Sequence, residues 1–127
     1  MENQSDKVIR NWGYYRVLHT VGSNVKVKEL TVEPGKSLSM QRHFNRKELW
    51  FVAEGIASLY SNDNLSTKFF HVGNFYRYSH ITIEDNEWHQ LKNEQESELK
   101  IIEIQYGTSC DEEDIERYNI DTNGNKI

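Results

Sequence analysis

The feature that most constrains the fold is an alternation of apolar and polar residues, interrupted at short intervals by residues that favour turns. A period of two places successive side chains on opposite faces of a β-strand, whereas an α-helix repeats after about 3.6 residues. The pattern predicts short strands over 14–20, 25–32, 37–43, 48–53, 56–60, 68–72, 81–83, 89–91 and 99–106. Many short strands separated by turns are typical of an all-β domain.

Two local signals add detail to this prediction. Glu33-Pro34-Gly35 predicts a type II turn, because proline fixes φ and glycine accepts the positive φ that follows. Residues 111–118 have a helical period and acidic residues in the first turn, so we expect a short C-terminal helix there. The 127 residues suffice for one core, and we expect one domain over 1–127 with its core at about 10–118.

Composition excludes several classes of protein. The net charge of −5 and the pI of about 5.5 argue against a nucleic-acid binder, which needs a basic surface. The chain has no apolar run long enough for a membrane span and no basic-then-apolar start, so we expect a cytoplasmic protein without a membrane partner. Cys110 is the single cysteine, which excludes an intramolecular disulfide and a thiolate zinc site.

Four polar side chains have a spacing that predicts a metal site. Gln41 and His43 are two residues apart and share one face of a strand, and Glu48 lies just past a short polar turn. His89 comes from another alternating segment far downstream. Nitrogen and oxygen donors of this kind suit zinc, with manganese, iron or cobalt as alternatives.

The parity of the strands assigns other side chains to faces. Trp50 shares a face with Glu48 and would form an aromatic wall beside the ligands. Glu103 and Gln105 share one face of the 99–106 strand, where they face either solvent or the pocket. The opposite face of the 37–43 strand carries Leu38 and Met40, which predicts packing against a second sheet or, in a homodimer, a second subunit.

These residues carry a resemblance to a known family. Residues 35–55 resemble the first cupin motif, with Gln41 in the place of its first histidine, and His89-x3-Asn93 resembles the end of the second. More narrowly, residues 41–50 are similar to the Gln-x-His-x-His-Arg-x-Glu-His-Trp signature of type II mannose-6-phosphate isomerases. Segments 10–15, 99–107 and 113–115 are similar to other parts of that family. The departures include Asn11, Asn45, Leu49 and the Glu84-Asp85-Asn86 turn.

The resemblance implies a fold and an activity. The fold is the cupin double-stranded β-helix, a small jelly-roll barrel, and the reaction interconverts mannose 6-phosphate and fructose 6-phosphate with a metal held by Gln41, His43, Glu48 and His89. In that family the module is usually the C-terminal part of a bifunctional mannose-1-phosphate guanylyltransferase. These 127 residues contain no glycine-rich nucleotide-binding stretch, so we expect no guanylyltransferase activity from them.

The resemblance also suggests roles for single residues. Arg46, in the turn after His43, matches the arginine associated with isomerase activity, and we assign it to the substrate phosphate, with Lys47 and Arg77 as weaker candidates. Glu103 is the candidate base from strand parity, with a metal-bound water or His80 as rivals. Trp50 and Gln105 are candidate substrate-binding residues.

Other functions remain open at this stage, since a fold and its ligands do not choose a reaction. One alternative is a metal-cupin of different chemistry, such as an oxygenase or a sugar epimerase. The other is a cupin that binds sugar without catalysis.

Overall fold

Eleven β-strands form the part of the chain that the computed structural model describes, residues 6–63 and 68–119. The strands are β1 (Val8–Arg10), β2 (Gly13–Val21), β3 (Val25–Val32), β4 (Gln41–Arg42), β5 (Arg46–Glu54), β6 (Ala57–Ser61), β7 (Phe70–Phe75), β8 (His80–Ile83), β9 (Gln90–Lys92), β10 (Leu99–Gly107) and β11 (Glu116–Arg117). Each of the nine predicted segments overlaps an observed strand, and the 37–43 segment contains the two-residue β4. The short strands β1 and β11 were not predicted. The described residues hold no helix of the length and apolarity that crossing a membrane requires.

The strands pair antiparallel in three sheets. The largest has the order β1-β2-β3-β10-β5-β8, a second has the order β7-β6-β9, and β4 pairs with β11. One face of the large sheet packs against the three-stranded sheet, and together they bury Leu30, Val32, Trp50, Val52, Ala57, Leu59, Ile81, Ile83, Leu91, Leu99 and Ile101. Sequence-distant strands therefore lie side by side, as in a jelly roll.

The turn chemistry agrees with the sequence. Lys36 N donates to Glu33 O over 3.1 Å, and Gly35 has a φ of 74°, as the predicted type II turn requires. The 84–86 segment also forms a tight turn, in which Asn86 has a φ of 63°. Asparagine tolerates this left-handed conformation better than most residues, so the turn forms without glycine.

The predicted helix over 111–118 is wrong. The side chain of Asp111 accepts a hydrogen bond from Glu113 N over 2.9 Å, and this Asx turn competes with a helical turn. Glu116 and Arg117 then pair with Arg42 and Gln41 as β11. A pairing partner more than seventy positions upstream decides the conformation, and the local period could not reveal it.

Leu38 and Met40 pack within the chain, which is the first of the two alternatives predicted for this face of the 37–43 segment. Met40 is 1% exposed and packs in a second core cluster with Trp88 and Tyr118. Leu38 packs against the main core. Since both side chains are covered within the chain, the homodimer stays a prediction that these two residues no longer support.

The turn between β5 and β6 offers a test of the backbone. Gly55 has a φ of 87°, and a Cβ at this position would lie 2.7 Å from Glu98 O. Gly22 also has a positive φ, of 56°, but its Cβ would meet no atom within 4 Å. We expect Gly22→Ala to lower the free energy of unfolding by about 1 kcal/mol and Gly55→Ala to lower it by about 2 kcal/mol more. Urea denaturation of both variants measures the difference, and equal losses would contradict the steric argument.

Candidate metal centre

The eight side chains that the sequence assigned to metal binding, catalysis or substrate binding line one cavity of about 610 Å³. They are Gln41, His43, Arg46, Glu48, Trp50, His89, Glu103 and Gln105. A cavity of this volume is in the size range of small-molecule sites.

Strand parity places the side chains from the large sheet. On β5, Glu48 and Trp50 point inward, and on the neighbouring β10 they face Gln105 and Glu103, respectively. Glu103 and Gln105 are 5% and 1% exposed, so they face the cavity and not bulk solvent. The two alternatives that the sequence left open for this strand are thereby resolved.

Three candidate ligands lie within contact distance of one another. His43 Nε2 is 3.2 Å from Glu48 Oε2, and His89 Nε2 is 3.7 Å from Glu48 Oε1. All three residues are buried, and one ligand atom from each lies within 4.8 Å of the others. Gln41 joins them through its backbone, because its N–H and C=O pair with the C=O and N–H of His89 over 2.9 Å.

The two histidines present their Nε2 lone pairs to this centre. His43 Nδ1 lies 2.7 Å from Asp114 O and His89 Nδ1 lies 2.9 Å from Glu87 O. A carbonyl oxygen only accepts, so both Nδ1 atoms carry the proton. Burial lowers the pKa of His43 to about 4 and also lowers the pKa of His89.

Two neutral imidazoles and a carboxylate therefore converge with acceptor atoms only. The Arg46 guanidinium offsets part of the repulsion among these lone pairs, and the nitrogen and oxygen donors suit a borderline divalent ion. Each imidazole is also oriented by a backbone carbonyl, as in metal sites generally. The donor set fits a divalent metal.

Arg46 occupies a different place from the one predicted. It is the first residue of β5 rather than a residue of the preceding turn, and it is 6% exposed. Its Nε and Nη2 atoms donate to Glu48 Oε2 over 3.0 and 2.9 Å, and Nη2 lies 3.2 Å from His43 Nε2. The guanidinium therefore balances the charge of Glu48 deep in the cavity.

Glu103 is a second buried carboxylate beside the cluster. Gln105 Nε2 donates to its Oε1 over 2.7 Å. Burial first, and then the charge of Glu48, raise the pKa of Glu103 to about 7. A cation at the cluster would lower this pKa, because it favours the ionised form.

The rival candidates lie away from the cavity. His80 is exposed on β8 and faces away from the core. Lys47 pairs with Asp85 over 3.1 Å, and Arg77 donates to Ala53 O over 3.2 Å. None of the three cations or bases lines the cavity that holds the cluster.

Sequence reasoning missed four charged side chains that line the cavity, namely Arg10, Lys28, Glu112 and Arg117. Lys28 is buried, forms an ion pair with Glu112 and faces Glu103 across the β3–β10 register. Parity could have found Lys28, since it shares a strand face with Leu30 and Val32.

The sequence matches, over residues 1–120, the model of a family described as mannose-6-phosphate isomerase C-terminal. The chain belongs to this family. It is 37% identical over 111 residues to a mannose-1-phosphate guanylyltransferase from Salmonella muenchen, covering 87% of this chain and 22% of that protein. It is 38% identical over 112 residues to the alginate biosynthesis protein AlgA from Pseudomonas putida, covering 88% of this chain and 21% of that protein. The chain thus spans about a fifth of these relatives.

A solved structure supports the fold. A sugar phosphate isomerase of the cupin superfamily from Silicibacter pomeroyi superposes with a TM-score of 0.61 at 18% identity, covering 75% of this chain and 59% of that one. At this identity the likeness bears on the fold alone. The predicted cupin double-stranded β-helix is confirmed, apart from its C-terminal helix.

The metal site can be tested by removing its imidazoles. We expect the unaltered protein to take up about one zinc ion per chain and the His43→Ala, His89→Ala double variant to take up almost none, because two of its donors are gone. Elemental analysis after gel filtration measures the content. A His19→Ala, His80→Ala variant removes two exposed imidazoles and should retain the ion. Full occupancy in the first variant would contradict the assignment.

Proposed function

We propose that this chain is a metal-dependent aldose-ketose isomerase that interconverts mannose 6-phosphate and fructose 6-phosphate. The observation that carries the proposal is a buried His43–Glu48–His89 cluster with Glu103 in the same cavity, in a member of the mannose-6-phosphate isomerase C-terminal family. Supply of mannose phosphates for polysaccharide or nucleotide-sugar synthesis belongs to the same proposal and is supported by the names of the relatives.

The reaction makes two demands on the cavity. A hydrogen moves between C1 and C2 of the open-chain sugar through an enediol, so an oxygen on one of these carbons gains negative charge. A base must also take the proton from carbon and return it to the neighbouring carbon. Both groups must lie near the same bond of the substrate.

Gln41, His43, Glu48 and His89 would hold the metal, with zinc favoured by the donors and manganese, iron or cobalt as alternatives. When bound, the ion supplies Lewis-acid stabilisation of the charge on the sugar oxygen. Gln41 belongs to this set because it pairs with His89 and lines the cavity.

Glu103 is the proposed base. A base must be a proton acceptor within reach of the reacting carbons, and Glu103 is a buried carboxylate in the same cavity as the cluster. Gln105 holds one of its oxygens by a hydrogen bond of 2.7 Å and would keep the carboxylate oriented towards the substrate. Glu48 is less suited to this role, since Arg46 and Trp50 occupy its two oxygens.

Arg46 and Trp50 would act at the reacting end of the sugar. The Arg46 guanidinium lies among the candidate ligands, so we assign it to the developing charge and to the orientation of Glu48, instead of to the phosphate. The Trp50 indole donates to Glu48 Oε1 over 3.0 Å and meets His89 edge-on, with ring centroids 5.7 Å apart. It forms the aromatic wall beside the ligands.

The test is direct. Purified protein loaded with zinc, manganese or cobalt is incubated with mannose 6-phosphate, and fructose 6-phosphate is followed by ¹³C NMR. Metal-dependent conversion is the expected result. Saturable binding of mannose 6-phosphate without turnover, with any of the metals, would instead favour the sugar-binding cupin that the sequence left open.

Removal of the base should affect proton transfer alone. We expect Glu103→Gln to lower kcat by about 10²- to 10⁴-fold while leaving zinc content unchanged, because the amide keeps the shape but cannot take a proton. Exchange of the C2 hydrogen with deuterated water, followed by NMR, should fall in parallel. The control His80→Ala removes the rival base, which is exposed, and should keep full activity. Retained exchange in Glu103→Gln would remove Glu103 from this role.

The Arg46 guanidinium can be tested against its two possible roles. We expect Arg46→Ala to lower kcat about 10- to 1000-fold, the range of one lost charge-stabilising donor, with the protein still folded and metal-bound. Arg46→Lys should restore only part, since a point charge cannot reproduce the two bonds to Glu48. A rise in KM for mannose 6-phosphate at unchanged kcat would instead return Arg46 to phosphate binding.

A further inference from the structure

Two exposed guanidinium groups line the cavity without an acidic partner among the described residues. Four basic side chains line this cavity, Arg10, Lys28, Arg46 and Arg117. Arg46 is paired with Glu48 and Lys28 with Glu112. Within residues 6–63 and 68–119, neither Arg10 nor Arg117 forms an ion pair, and both are exposed. They are the cations that remain available to a ligand.

The strand register places Arg117 close to the candidate metal ligands. Arg117 is the pairing partner of Gln41 in the β11–β4 ladder, and Gln41 is the bridge partner of His89. The three residues therefore lie side by side on neighbouring chain segments, with Gln41 in the middle. Adjacent segments lie about 4.8 Å apart, so the backbones of Arg117 and His89 are separated by about 10 Å. An open-chain hexose phosphate has a comparable reach between its carbonyl end and its phosphate.

Arg10, the last residue of β1, lines the same cavity. The neighbouring Asn11 and Trp12 also line the cavity, and the guanidinium lies 5.5 Å from the centre of the Tyr15 ring. Ser37 and Ser39 add hydroxyl groups to the lining. The guanidiniums of Arg10 and Arg117 and the hydroxyls of Ser37 and Ser39 are therefore hydrogen-bond donors that no carboxylate of the described residues occupies.

A chain with a net charge of −5 repels an anionic substrate unless the site supplies local positive charge. A phosphate monoester carries nearly two negative charges at pH 7, and planar guanidiniums bind its oxygens in pairs. Arg46 is poorly placed for this task, because its donors are engaged by Glu48 and by Asp111 O in the buried end of the cavity.

We propose that Arg10 and Arg117 form a subsite at the cavity rim for the phosphate of a sugar phosphomonoester. This inference deepens the proposed isomerase function and rests on it for the identity of the sugar. The subsite holds the charged end of the substrate and leaves the carbonyl end at the buried cluster. Arg10 and Arg117 would thus determine the preference for phosphorylated over free sugar.

The experiment uses a ligand that cannot react. Glucitol 6-phosphate has no carbonyl group and cannot isomerise, so its affinity reports binding alone. Isothermal titration calorimetry compares the zinc-loaded protein with Arg10→Gln, Arg117→Gln and the double variant, and free glucitol gives the affinity without phosphate. Arg77→Gln is the matched control, because it removes an exposed guanidinium that lies outside the cavity.

We expect each single variant to weaken glucitol 6-phosphate by about tenfold and the double variant by about 100-fold, the loss of one or two charge-assisted contacts. Arg77→Gln should bind as the unaltered protein does, and binding of free glucitol should be the same in all variants. Unchanged affinity in the double variant, an equal loss in Arg77→Gln, or no saturable binding to the unaltered protein would each overturn the subsite.

The outcome is separable from that of the isomerase proposal. Protein that binds glucitol 6-phosphate through Arg10 and Arg117 but does not convert mannose 6-phosphate supports the subsite and contradicts the isomerase. Protein that converts mannose 6-phosphate with the same KM in the double variant contradicts the subsite and supports the isomerase.

Discussion

A single buried carboxylate constrains the rest of the site. Glu48 is 2% exposed, and its two oxygens accept hydrogen bonds from Trp50 on one side and from Arg46 on the other. An ionised carboxylate removed from water is costly unless a charge and hydrogen bonds compensate it. The Arg46–Glu48 pair meets this requirement before any ion binds. The imidazoles of His43 and His89 are then packed around a group whose position is already fixed.

The two buried carboxylates of this cavity, Glu48 and Glu103, lie in different environments. Glu48 has a guanidinium within 3.0 Å, whereas the oxygen of Glu103 has the uncharged amide of Gln105 as its donor. Both carboxylates are buried, and burial together with the charge of Glu48 raises the pKa of Glu103 to about 7. Environments that differ in this way separate the tasks of chemically identical groups, here ligand and base. The two carboxylates differ because Arg46 lies beside Glu48 on β5, whereas Gln105 lies beside Glu103 on β10.

Sequence pattern predicted most where the information is local. Residues 25–32 form a strand with the expected ends, and alternation within strands brought the candidate ligands into one cavity. The sequence pattern gave a wrong prediction over 111–118, because an Asx turn and pairing with β4 outweigh the helical period and the acidic residues there. Arg10 and Arg117 were missed as site residues because strands of two or three residues have too few positions to show a face. Such contacts depend on topology, which no local period contains.

The 111–118 segment also has a consequence for the order of assembly. The backbone carbonyl of Asp114 orients the His43 ring, and its carboxylate accepts from the N–H groups of Phe44 and Asn45. These contacts join positions about seventy residues apart, and long loops close late because their closure costs more entropy. A partly synthesised chain would expose His43 without a fixed ring orientation. The ring orientation that the cluster needs is therefore reached only when the downstream segment has docked.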